Sequence, residues 1–197
     1  KDMPEIRLAI VSPSSGEGKS YLAASIAIAL AQVGKRTLLI DADLRGSAQA
    51  ANFGLGRPDG LSSVLAGRLS VKDAIIQLTP MLHILPAGPQ PPNPLEILRA
   101  PRLQSLLLTC ENQYDAYIVD TCPASAASDA QMVAHQIGSA LVVARRDHTN
   151  LKLLRLTMQN LQVAEVKLLG TVYNQFSKKT QPASRLKRLF TKRKAHA

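Results

Sequence analysis

A Gly-Lys-Ser triplet near the start of the chain ends a run of small residues that could hold the phosphates of a nucleotide. The run Arg7 to Ser20 reads RLAIVSPSSGEGKS, so an apolar stretch gives way to Ser, Pro and Gly. A loop of small residues before a helix can turn its backbone N–H groups onto a triphosphate. Lys19 would then reach the outer phosphates, and the hydroxyl of Ser20 would hold Mg²⁺. These residue types predict a phosphate-binding loop.

The loop departs in one position from the usual pattern G-x-x-x-x-G-K-[ST]. Pro13 stands where that pattern has Gly, while Gly16 and Gly18 leave the backbone free to bend. A Ser/Gly-rich turn with a chance GKS is the alternative, which the setting between an apolar strand and an apolar helix disfavours. The candidate nucleotide-binding residues are Ser14, Ser15, Gly16, Glu17, Gly18, Lys19, Ser20 and Tyr21.

Three acidic residues lie at the ends of apolar stretches and could do metal or acid-base chemistry. Asp41 and Asp43 follow LLI, and Asp120 follows YIV. In a parallel sheet the carboxyl ends of the strands share one edge, so these side chains would lie near the phosphates. Each Asp alone could merely cap a helix. Together they indicate that Asp120, in the form of a Walker B carboxylate, and Asp43 hold Mg²⁺, and that Asp41 serves as base or orients the nucleophile.

Arg45, two residues after Asp43, has the reach to pair with a carboxylate or to contact phosphate. We include it among the candidate catalytic residues with Lys19, Asp41 and Asp43. A surface arginine on a loop is the alternative, and the sequence leaves both open.

Strands and helices must alternate to bring these residues together, and the hydrophobic pattern predicts that they do. Predicted strands cover residues 6–11, 37–40, 82–85, the stretch up to Asp120, 140–144 and 168–173. Predicted helices cover residues 21–33, 60–67, 71–77, 94–99, 103–111, 129–137 and 150–163, with loops at 44–60 and 87–94. The predicted fold is α/β, with a mostly parallel sheet covered by helices on both faces.

The 197-residue length and 46% hydrophobic content predict one globular domain, over residues 1–177, with a basic tail over 178–197. The tail carries eight Lys/Arg and no acidic residue, which leaves sixteen basic against fourteen acidic residues elsewhere. The two cysteines have neither metal-ligand spacing nor the density of a disulfide scaffold, which favours a reducing compartment. We therefore expect a cytoplasmic protein. Because the chain begins with Lys and the loop follows at once, we also expect a preceding segment.

Leu186, Leu189 and Phe190 in the tail fall at helical spacing among basic residues. A helix of this kind could lie on an anionic membrane surface. A disordered solubilising tail is the alternative, and nucleic-acid binding is disfavoured because no aromatic platform accompanies the charge.

The combination of SSGEGKS, IDADLR, YIVDTCP and PPNPLEIL resembles the bacterial tyrosine kinases of exopolysaccharide and capsule assembly, of the chain-length-determinant type. The resemblance runs from Ile6 to about Phe176, and the D-x-D-x-R strand end distinguishes this family from ordinary P-loop kinases. It implies a MinD-like P-loop fold, ATP with Mg²⁺ as cofactors, and transfer of the γ-phosphoryl group to tyrosine.

The same resemblance implies that Ser20, Asp43 and Asp120 surround the metal, that Asp41 is the base and that Asn174 contacts adenine. It also implies an inner-membrane polysaccharide co-polymerase as partner, a location at the cytoplasmic side of that membrane, and a homo-oligomer when an upstream segment is present. The chain departs from the family because its four tyrosines, Tyr21, Tyr114, Tyr117 and Tyr173, all lie in predicted core elements rather than in a terminal cluster.

Two other functions stay open at this point. A ParA- or MinD-type positioning ATPase usually reads KGGxGKT, and Ser14 occupies the position of its extra lysine. An ATP-binding switch or adaptor of a polysaccharide-export complex, without tyrosine transfer, is the other possibility.

Overall fold

The computed structural model describes residues 6–99, 101–110 and 113–174. Seven strands form one sheet in the order β3-β4-β2-β5-β1-β6-β7. All neighbouring strands pair in parallel except β3, which is antiparallel to β4. The predicted mostly parallel α/β fold is thereby confirmed. The basic tail and its predicted membrane contact lie outside the described residues.

The strands are β1 (Ile6–Val11), β2 (Thr37–Asp41), β3 (Ile76–Thr79), β4 (Leu82–Leu85), β5 (Ala116–Asp120), β6 (Ser139–Arg145) and β7 (Lys167–Asn174). The helices are α1 (Lys19–Gln32), α2 (Gln49–Phe53), α3 (Leu61–Leu65), α4 (Val71–Ala74), α5 (Pro94–Leu98), α6 (Arg102–Cys110), α7 (Asp129–Ile137) and α8 (Leu151–Val163). In the part of the chain that these ranges cover, no helix combines the length and the apolar character needed to cross a bilayer.

The central strands β2 and β5 are buried at every position, which explains why both read as continuous apolar runs. On one face of the sheet, Ala23, Ala24, Ala27 and Ile28 of α1 pack against the strands. Helices α3 to α8 cover the other face with a larger apolar cluster. Because α1 presents small residues, it lies close to the sheet and brings its N-terminus near the ends of β1 and β5.

Two predicted segments differ from the structure. Residues 71–77 were predicted as one helix, but α4 ends at Ala74 and Ile76 begins strand β3. The hydroxyl of Thr79 accepts hydrogen bonds from the backbone N–H groups of Met81 and Leu82, which closes the β3–β4 turn. β-branched residues also favour strand over helix there.

The second difference is α2, which lies inside the predicted loop 44–60. Its five residues are too few for a hydrophobic period to show, so the Gly- and Pro-rich surroundings dominated the prediction. Helix α1 also begins two residues earlier than predicted, at Lys19. Both Lys19 and Ser20 therefore belong to its first turn.

Candidate active site

The loop between β1 and α1 forms a concave, electropositive turn around the N-terminus of α1. Gly18 precedes the helix with φ of 98°, a left-handed conformation that L side chains rarely adopt. The first turn of α1 carries no acidic side chain, so its free N–H groups and dipole are available to an anion. Lys19 is 6% exposed and lies at the base of this turn.

A cavity of about 480 Å³ opens above the loop. Its lining includes Ser15, Gly16, Gly18, Lys19, Ser20, Tyr21, Asp43, Arg45, Gly46, Ala48, Pro123 and Arg145. Six of the eight loop residues predicted to bind nucleotide thus face one space together with Asp43 and Arg45. The other two, Ser14 and Glu17, help to shape the loop from behind.

Glu17 is fully buried and holds the loop in shape from inside. Its carboxylate accepts hydrogen bonds from the backbone N–H of Ser14 at 3.0 Å and from the hydroxyl of Thr149 at 2.7 Å. The backbone of the segment after β5 adds two more bonds, from Ala124 to the carbonyl oxygen of Ser12 and from Ser125 to that of Pro13. The turn is therefore fixed without a bound phosphate.

Three side chains contact the outer carbonyl oxygens of the loop, one each from the end of β6, the β6–α8 connection and the end of β7. Nη1 of Arg145 donates to Gly16 at 3.0 Å, and Nε2 of His148 lies 2.9 Å from the carbonyl oxygen of Ser15. Nδ2 of Asn174 donates to the carbonyl oxygen of Glu17 at 3.0 Å. The family resemblance named Asn174 as an adenine contact, which stays a prediction, and the sequence carries no sign of Arg145, His148 or Thr149, because contacts between residues 129 to 133 positions apart leave no local pattern.

Asn174 also explains one requirement for glycine in the loop. A Cβ atom at Gly18 would lie 2.3 Å from Nδ2 of Asn174. A side chain at Gly18 would therefore displace the Asn174 amide, and the φ of 98° would strain it in addition.

Asp41 and Asp120 are direct neighbours in the ladder between β2 and β5, and both are fully buried. Oδ1 of Asp41 accepts from the N–H of Asp43 at 3.1 Å, and Oδ2 accepts from the hydroxyl of Ser47 at 2.7 Å and from the N–H of Gln49 at 3.1 Å. Oδ2 of Asp120 accepts from Nε2 of Gln49 at 2.8 Å. Within the described ranges, Oδ1 of Asp120 has no hydrogen-bond partner.

The two buried carboxyl groups both hold protons more tightly than an exposed Asp. Burial, and next the charge of Asp120, raise the pKa of Asp41 to about 7 against the hydrogen bonds that it accepts. Burial also raises the pKa of Asp120 to about 6, opposed by the charge of Lys19 and by the nearby Ser20 hydroxyl and Gln49 amide. A cation beside this pair would therefore be strongly favoured.

Asp43 and Arg45 lie on the loop that follows β2 at the wall of the cavity. Oδ1 of Asp43 accepts from the N–H groups of Arg45 at 3.1 Å and Gly46 at 2.8 Å, which fixes the turn. Nε of Arg45 pairs with Oδ2 of the buried Asp129 on α7 at 2.8 Å. Arg45 thus pairs with a carboxylate and also lines the cavity, and its contact with phosphate stays a prediction.

The residues present fit a nucleotide with Mg²⁺. The loop supplies N–H groups and Lys19 for phosphates, and Ser20 and Asp43 face the same space. Among the residues that the structure describes, none donates to the buried Oδ1 atom of Asp120, which suits a water molecule bound to a metal ion. Within the described residues, no group of three or more His, Cys, Asp or Glu side chains forms a metal cage. Mg²⁺ does not need one, because it takes most ligands from phosphates and water.

Comparison with known proteins agrees with this geometry. Residues 8–194 match the family model of the CobQ/CobB/MinD/ParA nucleotide binding domain. The putative tyrosine-protein kinase EpsB of Ralstonia solanacearum is 38% identical over 166 residues, which cover 84% of this chain and 22% of EpsB. The putative tyrosine-protein kinase CapB of Staphylococcus aureus is 34% identical over 168 residues, which cover 85% of this chain and 74% of CapB.

A solved structure gives the same assignment. The kinase domain of the Escherichia coli tyrosine kinase ETK superposes with a TM-score of 0.81 at 33% identity, over 88% of this chain and 69% of that one. The chain spans about a fifth of the length of EpsB. By sequence and by fold, the chain belongs to the CobQ/CobB/MinD/ParA nucleotide-binding family and, within it, to the bacterial tyrosine-protein kinases.

Proposed function

We propose that the chain is the catalytic domain of an ATP-dependent protein tyrosine kinase. The observation that carries this proposal is the cavity in which Lys19, Ser20 and Asp43 meet above a preformed phosphate-binding turn. Membership in the tyrosine-kinase family supports tyrosine as the acceptor. Ser20, Asp43 and Asp120 would hold Mg²⁺, which would supply positive charge to offset the negative charge of the phosphates.

Transfer in this site forms a bond between the tyrosine Oη and the γ-phosphorus, while the bond from that phosphorus to the β,γ-bridging oxygen breaks and ADP leaves. Lys19 and the N–H groups of the loop stabilise the negative charge on the transferring group. They are already oriented before the substrate arrives, because Glu17 and Thr149 hold the loop.

The tyrosine hydroxyl must lose its proton, and Asp41 is the proposed acceptor. A pKa raised to about 7 suits a base that works near neutral pH. Asp41 is fully buried and accepts three hydrogen bonds from residues 43–49, so this segment has to shift before a hydroxyl can reach the carboxylate. The role of Asp41 stays a prediction.

Arg45 and Asn174 are assigned positioning roles in this proposal. Arg45 is held by Asp129 against the cavity wall, where it can orient a phosphate or an incoming acceptor. The side-chain amide of Asn174 contacts the loop at Glu17 and lies beside Gly18, and the family resemblance supports a contact of this residue with the adenine base.

We further propose a place for the domain in polysaccharide export. The resemblance to exopolysaccharide and capsule kinases supports an inner-membrane co-polymerase as partner, a peripheral location on the cytoplasmic side and self-association in the longer protein. Residues 178–197 could strengthen such a location through charge attraction to anionic lipids.

The experiment that tests the function is incubation of the chain with ATP and Mg²⁺, alone and with a tyrosine-rich acceptor peptide, followed by detection of phosphotyrosine. Phosphotyrosine that requires both ATP and Mg²⁺ supports the kinase. Nucleotide binding and hydrolysis without phosphotyrosine on either polypeptide would contradict it and favour an ATP-dependent switch.

A further inference from the structure

Gln49 connects three elements of the site through its backbone N–H and its side-chain amide, although it lies in a stretch that was predicted as loop. Its backbone N–H donates to Oδ2 of Asp41 at the end of β2. Its Nε2 donates to Oδ2 of Asp120 at the end of β5 and to the carbonyl oxygen of Ser20 in the first turn of α1, both at 2.8 Å. Gln49 is 0% exposed, so these bonds are shielded from water.

Folding alone does not explain a glutamine at this position. Oε1 of Gln49 is buried and has no hydrogen-bond partner among the described residues. An unpaired buried acceptor is unfavourable for stability, and an apolar side chain of similar size would avoid it. Helix α2 is otherwise built of Ala, Asn and Phe, and Gln49 is its one fully buried residue. The side chain is therefore better explained by what its amide holds.

The two groups that the amide holds are neighbours of the proposed metal. The bond to Oδ2 fixes the rotation of the Asp120 carboxylate and leaves Oδ1, which has no partner in the described ranges, free for a metal-bound water. The bond to the Ser20 carbonyl fixes the turn that carries the Ser20 hydroxyl. The phosphate side of the site is held separately, by Glu17 with Thr149 and by Arg145.

We propose that Gln49 is a positioning residue that sets how strongly Mg²⁺ supports nucleotide binding, by orienting Asp120 and the first turn of α1 together. This inference rests on the proposed function, because it assumes that nucleotide and Mg²⁺ share the site. In this proposal Gln49 itself contacts neither the nucleotide nor the metal ion. Groups that orient metal ligands in this way typically change metal affinity about 10- to 100-fold when they are removed.

The test compares ADP affinity with Mg²⁺ and with EDTA, by calorimetry on the 197-residue chain. Gln49→Leu keeps the volume and removes the donors, and Gln49→Met is a second, unbranched variant in case the first fails to fold. We expect the gain in ADP affinity that Mg²⁺ provides to fall roughly tenfold in both variants, while affinity in EDTA stays within about twofold of the wild type.

Gln136→Leu is the matched control. Gln136 is also buried, donates one hydrogen bond from Nε2 to the carbonyl oxygen of Leu98 at 3.0 Å, and has an unpaired buried Oε1 within the described part of the chain. Gln136 lies on α7 and does not line the cavity. Gln136→Leu should therefore leave unchanged the gain in ADP affinity that Mg²⁺ provides.

Three outcomes would overturn parts of the argument in distinguishable ways. If the wild type binds ADP equally with Mg²⁺ and with EDTA, the proposed shared site is wrong and the role of Gln49 falls with it. If the wild type shows the Mg²⁺ effect and either Gln49 variant retains it in full, only the role of Gln49 is wrong. If the Gln49 variants lose ADP affinity equally with Mg²⁺ and with EDTA, Gln49 has a purely structural role and does not tune the effect of Mg²⁺.

Discussion

Asp41 and Asp120 face each other across the β2–β5 ladder at its carboxyl end, and neither has a basic side chain hydrogen-bonded to it in the described residues. Two carboxyl groups without a hydrogen-bonded cation are costly to ionise in a buried position, and the charge of Lys19 offsets only part of this cost for Asp120. The apo protein therefore carries an electrostatic strain at the place where the phosphates and the metal are proposed to bind.

This strain predicts an unusual dependence of stability on pH. The folded-state pKa values of Asp41 and Asp120 lie above the unfolded value of 3.8, so the folded state binds more protons between pH 4 and 7. The free energy of unfolding of the apo protein should then fall as the pH rises through this window. Asp120→Asn should relieve the strain, and its stabilisation should be larger at pH 8 than at pH 5 by on the order of 1 kcal/mol.

Denaturant unfolding in EDTA at the two pH values measures this difference. Asp147→Asn is the control, because Asp147 has an 87% exposed side chain whose removal should have no comparable pH-dependent effect. If Asp120→Asn raises the free energy of unfolding by the same amount at both pH values, the raised pKa values are contradicted.

Lys19 should be essential for transfer but not for folding. Lys19→Ala removes a charge at the base of the cavity, and we expect the transfer rate to fall by a factor on the order of 10² to 10³. Lys19→Arg should not restore it, because a planar guanidinium cannot replace a compact ammonium group. Single-turnover phosphotransfer gives the rate, and thermal unfolding confirms that the variants are folded. Wild-type turnover in either variant would remove Lys19 from the mechanism.

Thr149 should matter for the shape of the loop although it lies on a different element. Thr149→Val leaves the buried Glu17 carboxylate with only the N–H of Ser14 as a donor among the bonds described. We expect a loss of about 2 kcal/mol in the free energy of unfolding and weaker ADP binding in EDTA. Thr149→Ser keeps the hydroxyl and serves as control. If Val and Ser variants behave alike, the hydroxyl bond to Glu17 does not hold the loop.

If the chain phosphorylates itself, accessibility predicts the site. Tyr114 and Tyr117 are 6% and 1% exposed, and Tyr21 is half-buried in the cavity wall, whereas Tyr173 on the edge strand β7 is 66% exposed. The prediction that all four tyrosines lie in core elements is thus corrected for Tyr173, because one side of an edge strand faces solvent. Peptide mapping after incubation with ATP should place phosphate on Tyr173, and Tyr173→Phe should abolish it. Phosphate on Tyr117 would show that the sheet opens during the reaction.

The sequence by itself determined the fold class and the phosphate-binding loop. Apolar runs, the Gly-Lys-Ser triplet and three acidic strand ends are local features, and each reflects a local physical requirement. A buried parallel strand needs continuous apolar residues, and a loop around phosphate needs small ones. The positions of Lys19, Ser20 and Asp43 around one cavity follow from these features and from the parallel arrangement of the strands.

Only the tertiary structure decided how the loop and the carboxylates are held. The contacts of Gln49 with Asp120 and of Thr149 with Glu17 join residues 71 and 132 positions apart. Polar partners at such separations depend on how helices and loops pack, and neither periodicity nor composition records them. The short helix α2 and the strand β3 also escaped prediction, because these two elements depend on the surfaces they pack against rather than on a pattern in their own residues.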